Sequence, residues 1–408
     1  MSTATRHHGA IKKELGDLAI FGGTPAFDHT LHVGQPNIGD RRKFVECVDD
    51  IMERRWLTNG GKYLNLFEER IVEITGVAHC VAMCNATVGL EIAIRALGLT
   101  GEVIVPSFTF IATAHVLEWQ NITPVFCDVD LQTHTLDPKR VEELITPRTT
   151  GIIGVHLWGR PCDVDALSEI AARRGLKLLF DSAHAFGCSH KDRMIGNFGD
   201  AEVFSFHATK FINSLEGGAV VTNNAELAQQ LRLMRNFGFT NYDRTDAIGV
   251  NGKLNEVSAA MGLTNLESMD ELIAINREHH QQYRDELAQV AGVSFAVYDE
   301  KSNYQYVVLE IDEAVAGVTR DQLMQVLHAE HVLARRYFYP GCHRMQPYRE
   351  LYPNLQLPQT ELLAARVLTL PTGQAVTSEM IGDVCAIVRT VLDHANEVHE
   401  RLPERLPA

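Results

Sequence analysis

Positive charge is scarce in this chain. Its 408 residues carry 37 Lys and Arg against 52 Asp and Glu, a formal balance of −15. A protein that wraps nucleic acid concentrates Lys and Arg, so that class is excluded. A small anionic ligand held in a locally amide-rich or basic pocket is not. Long apolar runs are also missing: none approaches the roughly 18–20 residues of a membrane helix, so no membrane partner is expected. The opening MSTATRHHGAIKKELGDL has no apolar signal segment, which gives a cytoplasmic expectation. The eight cysteines, at 47, 80, 84, 127, 162, 188, 342 and 385, are too dispersed for a disulfide framework and read as reduced, mostly buried thiols. Repeats and low-complexity tracts are absent. So are GxGxxG and GxxxxGK[ST], which removes a dinucleotide fingerprint and a Walker loop from consideration.

What is present is globular. Hydrophobic residues make up 45% and charged residues 22%, enough for a large core without disulfides or a structural metal. Short apolar runs at Cys80–Cys84, Val103–Val105, Pro124–Cys127, Gly151–Leu157, Leu176–Phe180, Ala201–Phe206 and Ala219–Thr222 alternate with helical spacing. Val164, Leu167, Ile170 and Ala171, opened by Asp163 as an N-cap, show that spacing. Such alternation predicts an α/β fold with a mainly parallel sheet covered on both faces. Residues from Glu256 to about Val290 have few breakers and predict one long helix. Beyond it, Tyr304–Ile311 alternates like a strand, Thr319 to Gln322 fits a capping box, and Thr377 caps a final helix. The expected organisation is an arm over 1–35, a large α/β domain over 36–265 and a smaller α+β domain over 266–408.

Three segments carry chemistry. In KLLFDSAHAFG (177–187) an apolar strand ends at Asp181, followed by His184. Asp181 reads as a turn or cap carboxylate, or as a buried carboxylate that keeps a heterocyclic nitrogen protonated. In AEVFSFHATKFINSLEGGA (201–219) a strand leads through Ser205 to Lys210 and then to Glu216-Gly217-Gly218. Lys210 reads as a solvated surface amine, or as an amine that loses its proton and attacks a carbonyl. In HCVAMCNATVGL (79–90) a strand ends at Cys84 and a helix starts near Ala86. Its free amides and the Thr87 hydroxyl form an ordinary helix start or an anion site. A metal site at His184, Cys188 and His190 lacks a second ligand pair of standard spacing, and Cys80 and Cys84 beside a strand fit inert buried thiols better than a nucleophile.

Taken in order, these segments resemble the nucleotide-sugar aminotransferases, the DegT/StrS family of pyridoxal-phosphate (PLP) enzymes of fold type I. The resemblance runs from about Trp56 to Pro371 and rests on WLTNGG (56–61), NATVGLEIAIRALG (85–98), VIVPSFTFIATA (103–114), PVFCDVD (124–130), GVHLWGRPCDVDAL (154–167), FDSAHAFG (180–187), FSFHATK (204–210), EGGAVVTN (216–223) and GVNGKLNEVSAAMG (249–262). FSFHATK followed by EGG is the most specific pair.

The resemblance implies a seven-stranded PLP domain, a smaller C-terminal domain and a cytoplasmic homodimer with shared active sites. Lys210 matches the lysine that holds PLP, and Asp181 the carboxylate on the pyridinium nitrogen. His184 stands where relatives often carry Gln, near the cofactor's phenolic oxygen. Phe110 matches the ring stacked on the cofactor. Ala86, Thr87 and Ser205 match the phosphate cradle, and Asn251 an Asn supplied to it by the partner subunit. Ser182 and Ala208 depart from the common pattern without removing a catalytic group. L-glutamate is the implied amino donor and a keto-deoxysugar nucleotide the acceptor. The segments FHATK, FINSLEGG and GVNGKLNE look closest to members acting at C4 of dTDP-4-keto-6-deoxyglucose; a C3 enzyme and a non-catalytic PLP-binding regulator are the alternatives. Thr58, His156, Lys253, Arg335, Arg336 and His343 are candidates for the sugar or diphosphate, and each also reads as a surface or subunit contact.

Overall fold

In the computed structural model, residues 12–298 and 301–403 are described. All seven apolar runs become strands of one sheet. They are β1 (His79–Met83), β2 (Glu102–Pro106), β3 (Thr123–Cys127), β4 (Thr149–Val155), β5 (Lys177–Asp181), β6 (Ala201–Ser205) and β7 (Gly218–Thr222). The spatial order is β1-β7-β6-β5-β4-β2-β3. Only β7 runs antiparallel to its neighbours, so the carboxyl ends of the other six share one edge. Every residue of β2, β6 and β7 is buried. This is why these strands read as continuous apolar runs: helices cover both faces.

The helices start on side-chain caps. α1 (Arg41–Arg54) opens on Asp40, whose carboxylate accepts the Arg42 and Lys43 N–H groups. α2 (Lys62–Thr75) lacks such a cap on its own segment. The buried Glu256 carboxylate supplies it from afar, accepting the N–H of Tyr63 at 2.9 Å and of Leu64 at 3.1 Å. α3 (Ala86–Ala96) opens on Asn85 after β1, and α4 (Ala112–Glu118) follows β2.

The single helix expected from Glu256 to about Val290 is two helices, α5 (Glu256–Glu267) and α6 (Met269–Leu287). Ser268 breaks it by turning its own N–H back to Asn265 and Leu266. The side chain of Asn265 is fixed in the interior at this point, donating to the Asn213 carbonyl and accepting from Gly39 N–H.

Beyond α6 a three-stranded antiparallel sheet forms from β8 (Val293–Phe295), β9 (Val307–Ile311) and β10 (Val367–Leu370). It packs on α7 (Arg320–Ala329), which keeps its Thr319 to Gln322 capping box, and on α8 (Ser378–Asp393), capped by Thr377. The described part of the N-terminal segment does not stand free as an arm. Leu15, Leu18, Ala26, Phe27 and Leu31 are buried in this C-terminal core, and Leu31–His32 pairs with Val332–Leu333. The Glu330 carboxylate ties the segment down, accepting Ala19 N–H at 2.6 Å, Ala26 N–H at 2.7 Å and the Lys12 ammonium at 3.2 Å.

Candidate active site

At the carboxyl edge of the sheet lies a cavity of about 550 Å³. Parallel α/β sheets place their ligands at such an edge. β1 leads into α3, which brings Ala86 and Thr87; the loop after β2 brings Phe110; β5 ends on Asp181 and leads to His184; β6 ends on Ser205 and leads to Lys210. All seven cofactor-site residues expected within one subunit therefore line one cavity, although up to 124 positions separate them in sequence.

Each wall has a local cause. Asn85 stands in extended backbone and accepts the Val88 N–H at 2.8 Å, which leaves the Ala86 and Thr87 amides without partners inside the helix. Gly218 lets β7 come close: a Cβ there would meet the Ala86 nitrogen at 2.6 Å. Phe110 is 58% exposed, an unusual state for a ring facing a cavity.

Asp181 is buried, and Thr113 Oγ1 donates to its Oδ2 at 2.8 Å while Ala183 N–H donates to Oδ1 at 3.2 Å. Burial raises its pKa against the pull of these donors and of Lys210. Burial pulls the Lys210 amine down to about 8, opposed by the Asp181 charge. His184 is held neutral, first by burial and then by the Lys210 charge. Lys210 Nζ lies 3.4 Å from the Tyr306 hydroxyl, which lies 3.3 Å from His184 Nε2. The arrangement offers a proton-exchanging amine, a strand-end carboxylate and an anion-binding helix start within one pocket.

The acceptor-site candidates divide. Arg335 lines the cavity beside Tyr337 and Phe338. Thr58 and Asn251 are exposed outside this chain's cavity. Lys253 donates to Asn236 Oδ1 at 3.0 Å and sits 4.9 Å over the Phe237 ring, also outside it. Arg336 donates to Asp321 at 2.9 Å.

Two histidines expected at the acceptor are placed as interior struts. His156 is fully buried, stacked 4.6 Å from Phe180, with Nδ1 accepting Cys162 N–H and Nε2 3.4 Å from Glu202. Glu202 also accepts the Ser182 hydroxyl at 2.6 Å, which accounts for the serine at that position. His343 is fully buried between Ser107 Oγ at 2.7 Å and Glu361 at 3.1 Å. Ser107 is itself fully buried and receives the His343 N–H, so this trio pins residues 342–345 to the end of β2 and exposes no nucleophile.

Sequence reasoning missed Thr113 and Tyr306. Thr113 left no signal beyond its helix. Tyr306 lies within the predicted strand Tyr304–Ile311, where an aromatic carries no mark of function. His184, Cys188 and His190 do not converge: among the described residues no three His, Cys, Asp or Glu side chains cluster as a metal site. Among the same residues no helix is long and apolar enough to cross a membrane.

A mixed seven-stranded sheet with a lysine, a strand-end carboxylate and a helix start at one edge defines a fold type I aminotransferase. The chain belongs to the DegT/DnrJ/EryC1/StrS aminotransferase family, whose profile matches residues 39–389. It is 35% identical over 363 residues to a dTDP-4-amino-4,6-dideoxy-D-glucose transaminase of Shigella dysenteriae, covering 88% of this chain and 99% of the relative. It is 33% identical over 361 residues to the transaminase of the same name from Escherichia coli, covering 87% and 96%. A crystal structure of DesI in the presence of its TDP-sugar product superposes with a TM-score of 0.92 at 51% identity, covering 95% of this chain and 99% of that one.

Proposed function

We propose that the protein is a PLP-dependent transaminase that moves the amino group of L-glutamate to C4 of dTDP-4-keto-6-deoxyglucose, giving dTDP-4-amino-4,6-dideoxyglucose. The observation that carries this reading is the convergence of Lys210, Asp181 and the start of α3 on one cavity. The names of the two curated relatives, and the TDP-sugar product in the DesI structure, support the acceptor and its C4 position.

The residues fit pyridoxal phosphate. The partnerless amides of Ala86 and Thr87, with the Ser205 hydroxyl, suit its phosphate. Phe110 presents an open ring face for its pyridine, and Asp181 has carboxylate lone pairs to spare. When bound, PLP supplies the electron sink and the carbonyl at which an amino group is held and passed on. Asp181 keeps the proton on the ring nitrogen. Lys210 would take the proton from the donor's α-carbon and return one from the same Nζ to the carbon on the other side of the nitrogen. The amine suits both roles because burial brings its pKa close to neutral pH. Arg335 meets an anionic part of the acceptor, and Tyr337 and Phe338 cover the cavity from the C-terminal side.

A homodimer belongs to the same proposal. Asn251 is exposed outside its own cavity, as a phosphate ligand for a neighbouring subunit would be. It ends a protruding hairpin region whose Phe237, Phe239, Tyr242, Ile248 and Val250 are all exposed. Surface apolar residues gathered this way mark an interaction face. The eight unpaired thiols suit the reducing cytoplasm, where we place the enzyme.

The test is a half-reaction. Purified enzyme with L-glutamate and no sugar should release about one 2-oxoglutarate per active site. No oxo acid released from glutamate or from any other amino donor would contradict the reading.

A further inference from the structure

A neutral imidazole has one N–H and one bare nitrogen, so His184 could turn either a proton or a lone pair to the cavity it lines. Trp158 decides between them. Its backbone N–H, which only donates, meets His184 Nδ1 at 3.3 Å. Nδ1 is therefore the bare nitrogen, and the ring proton sits on Nε2. The indole lies over the imidazole at 5.9 Å between centroids, 23° from parallel. Asn303 and Gln305 donate to the His184 carbonyl at 2.9 Å and 3.0 Å, which fixes its backbone but not its ring. A flipped ring would set a carbon against the Trp158 amide and leave that buried donor without an acceptor.

Trp158 is held in turn. Its backbone is left-handed, φ 62° and ψ 9°, a conformation that a bulky residue keeps only where its surroundings impose it. The indole N–H donates to His134 Nδ1 at 3.2 Å. By the same logic the buried His134 carries its proton on Nε2, which donates to Glu310 Oε1 at 3.0 Å. His134, Trp158 and His184 follow β3, β4 and β5 at the carboxyl edge of the large sheet, whereas Glu310 belongs to β9 of the C-terminal sheet.

We propose that Glu310, His134 and Trp158 are positioning residues that present His184 to the cavity as an Nε2–H donor. Within the protein that donor meets the Tyr306 hydroxyl oxygen at 3.3 Å, an oxygen that also accepts from Lys210 Nζ at 3.4 Å. Burial and the Lys210 charge keep the imidazole neutral, so its single proton stays where Trp158 puts it. The inference rests on the reading of the cavity as a PLP site, whose ring oxygen such a donor suits.

Two measurements test it, and the first needs no cofactor. Full-length, cofactor-free protein with isotope-labelled histidine is sedimented and studied by solid-state NMR, the His184 signals being those lost in His184→Gln. The bare nitrogen should be the one bonded to Cγ, with no second tautomer. Glu310→Ala and His134→Phe should each bring up a second set of His184 signals with the proton on Nδ1. Glu310→Gln, whose amide oxygen still accepts from His134, should keep the wild-type signals. The second measurement is PLP affinity by absorbance titration. Glu310→Ala and His134→Phe should each weaken binding about fivefold, the equivalent of one hydrogen bond, and Glu310→Gln should not. In a His184→Leu background the same substitutions should weaken it no further, because they act through His184. A wild-type proton on Nδ1, His184 signals unchanged in both variants, or an equal loss of affinity with and without His184 overturns the proposal. If no PLP binds, the cofactor reading falls and the NMR signals alone decide whether these residues place the proton.

Discussion

Tyr306 holds its hydroxyl 3.4 Å from the Nζ of Lys210. The tyrosine precedes β9 in the C-terminal sheet, whereas the lysine follows β6 in the large sheet. The Lys210 amine is therefore framed by both halves of the chain, and substitutions at either edge should be felt at one atom.

Lys210→Ala should leave the fold intact and lower turnover by at least about 100-fold, since it deletes the group to which the proposed function gives the proton transfer. Circular dichroism and a steady-state assay check the two halves of this statement. Substantial residual turnover would remove Lys210 from its role.

Phe110→Ala should weaken PLP binding about tenfold, the equivalent of roughly 1.4 kcal/mol of ring stacking. Stability should hardly change, because the ring is 58% exposed. An absorbance titration with the cofactor measures the first effect, and urea unfolding the second.

Glu330→Ala should destabilise the protein by about 3–5 kcal/mol. It leaves the buried Lys12 ammonium without its counter-charge and two amide N–H groups without their acceptor. Cleavage by protease within residues 12–35 should quicken in the variant, because this carboxylate fastens the segment to the C-terminal core.

On the proposed homodimer, Ile248→Asp combined with Phe239→Asp should yield a monomer in sedimentation velocity. Both positions are exposed apolar residues of the region ending at Asn251. The monomer should lose turnover as well, since Asn251 is assigned to the partner's site.

The large sheet was legible because its strands are buried on both faces, which writes them as apolar runs bounded by helical spacing. Asp181 stood out as a polar residue ending a buried strand, whereas Lys210 lies five residues beyond the end of β6 and was marked only by the resemblance of FSFHATK and EGG to the family. The same logic misplaced His156 and His343. Each follows or interrupts an apolar stretch like a site residue, yet burial turns its ring onto Glu202 or Ser107. Tyr306 and Thr113 were not legible because their partners lie 96 and 68 residues away, and one sequence carries no mark of such pairing. The break at Ser268 was missed because it is set by interior bonds of Asn265 rather than by Gly or Pro.

The central claim is the transfer of an amino group to C4. Enzyme, PLP and L-glutamate should be incubated separately with 3-keto and 4-keto dTDP-6-deoxysugars, and the products read by mass spectrometry and NMR. We expect one amine on C4, formed from the 4-keto compound alone. An amine on C3, or no aminated sugar from either compound, would contradict the account.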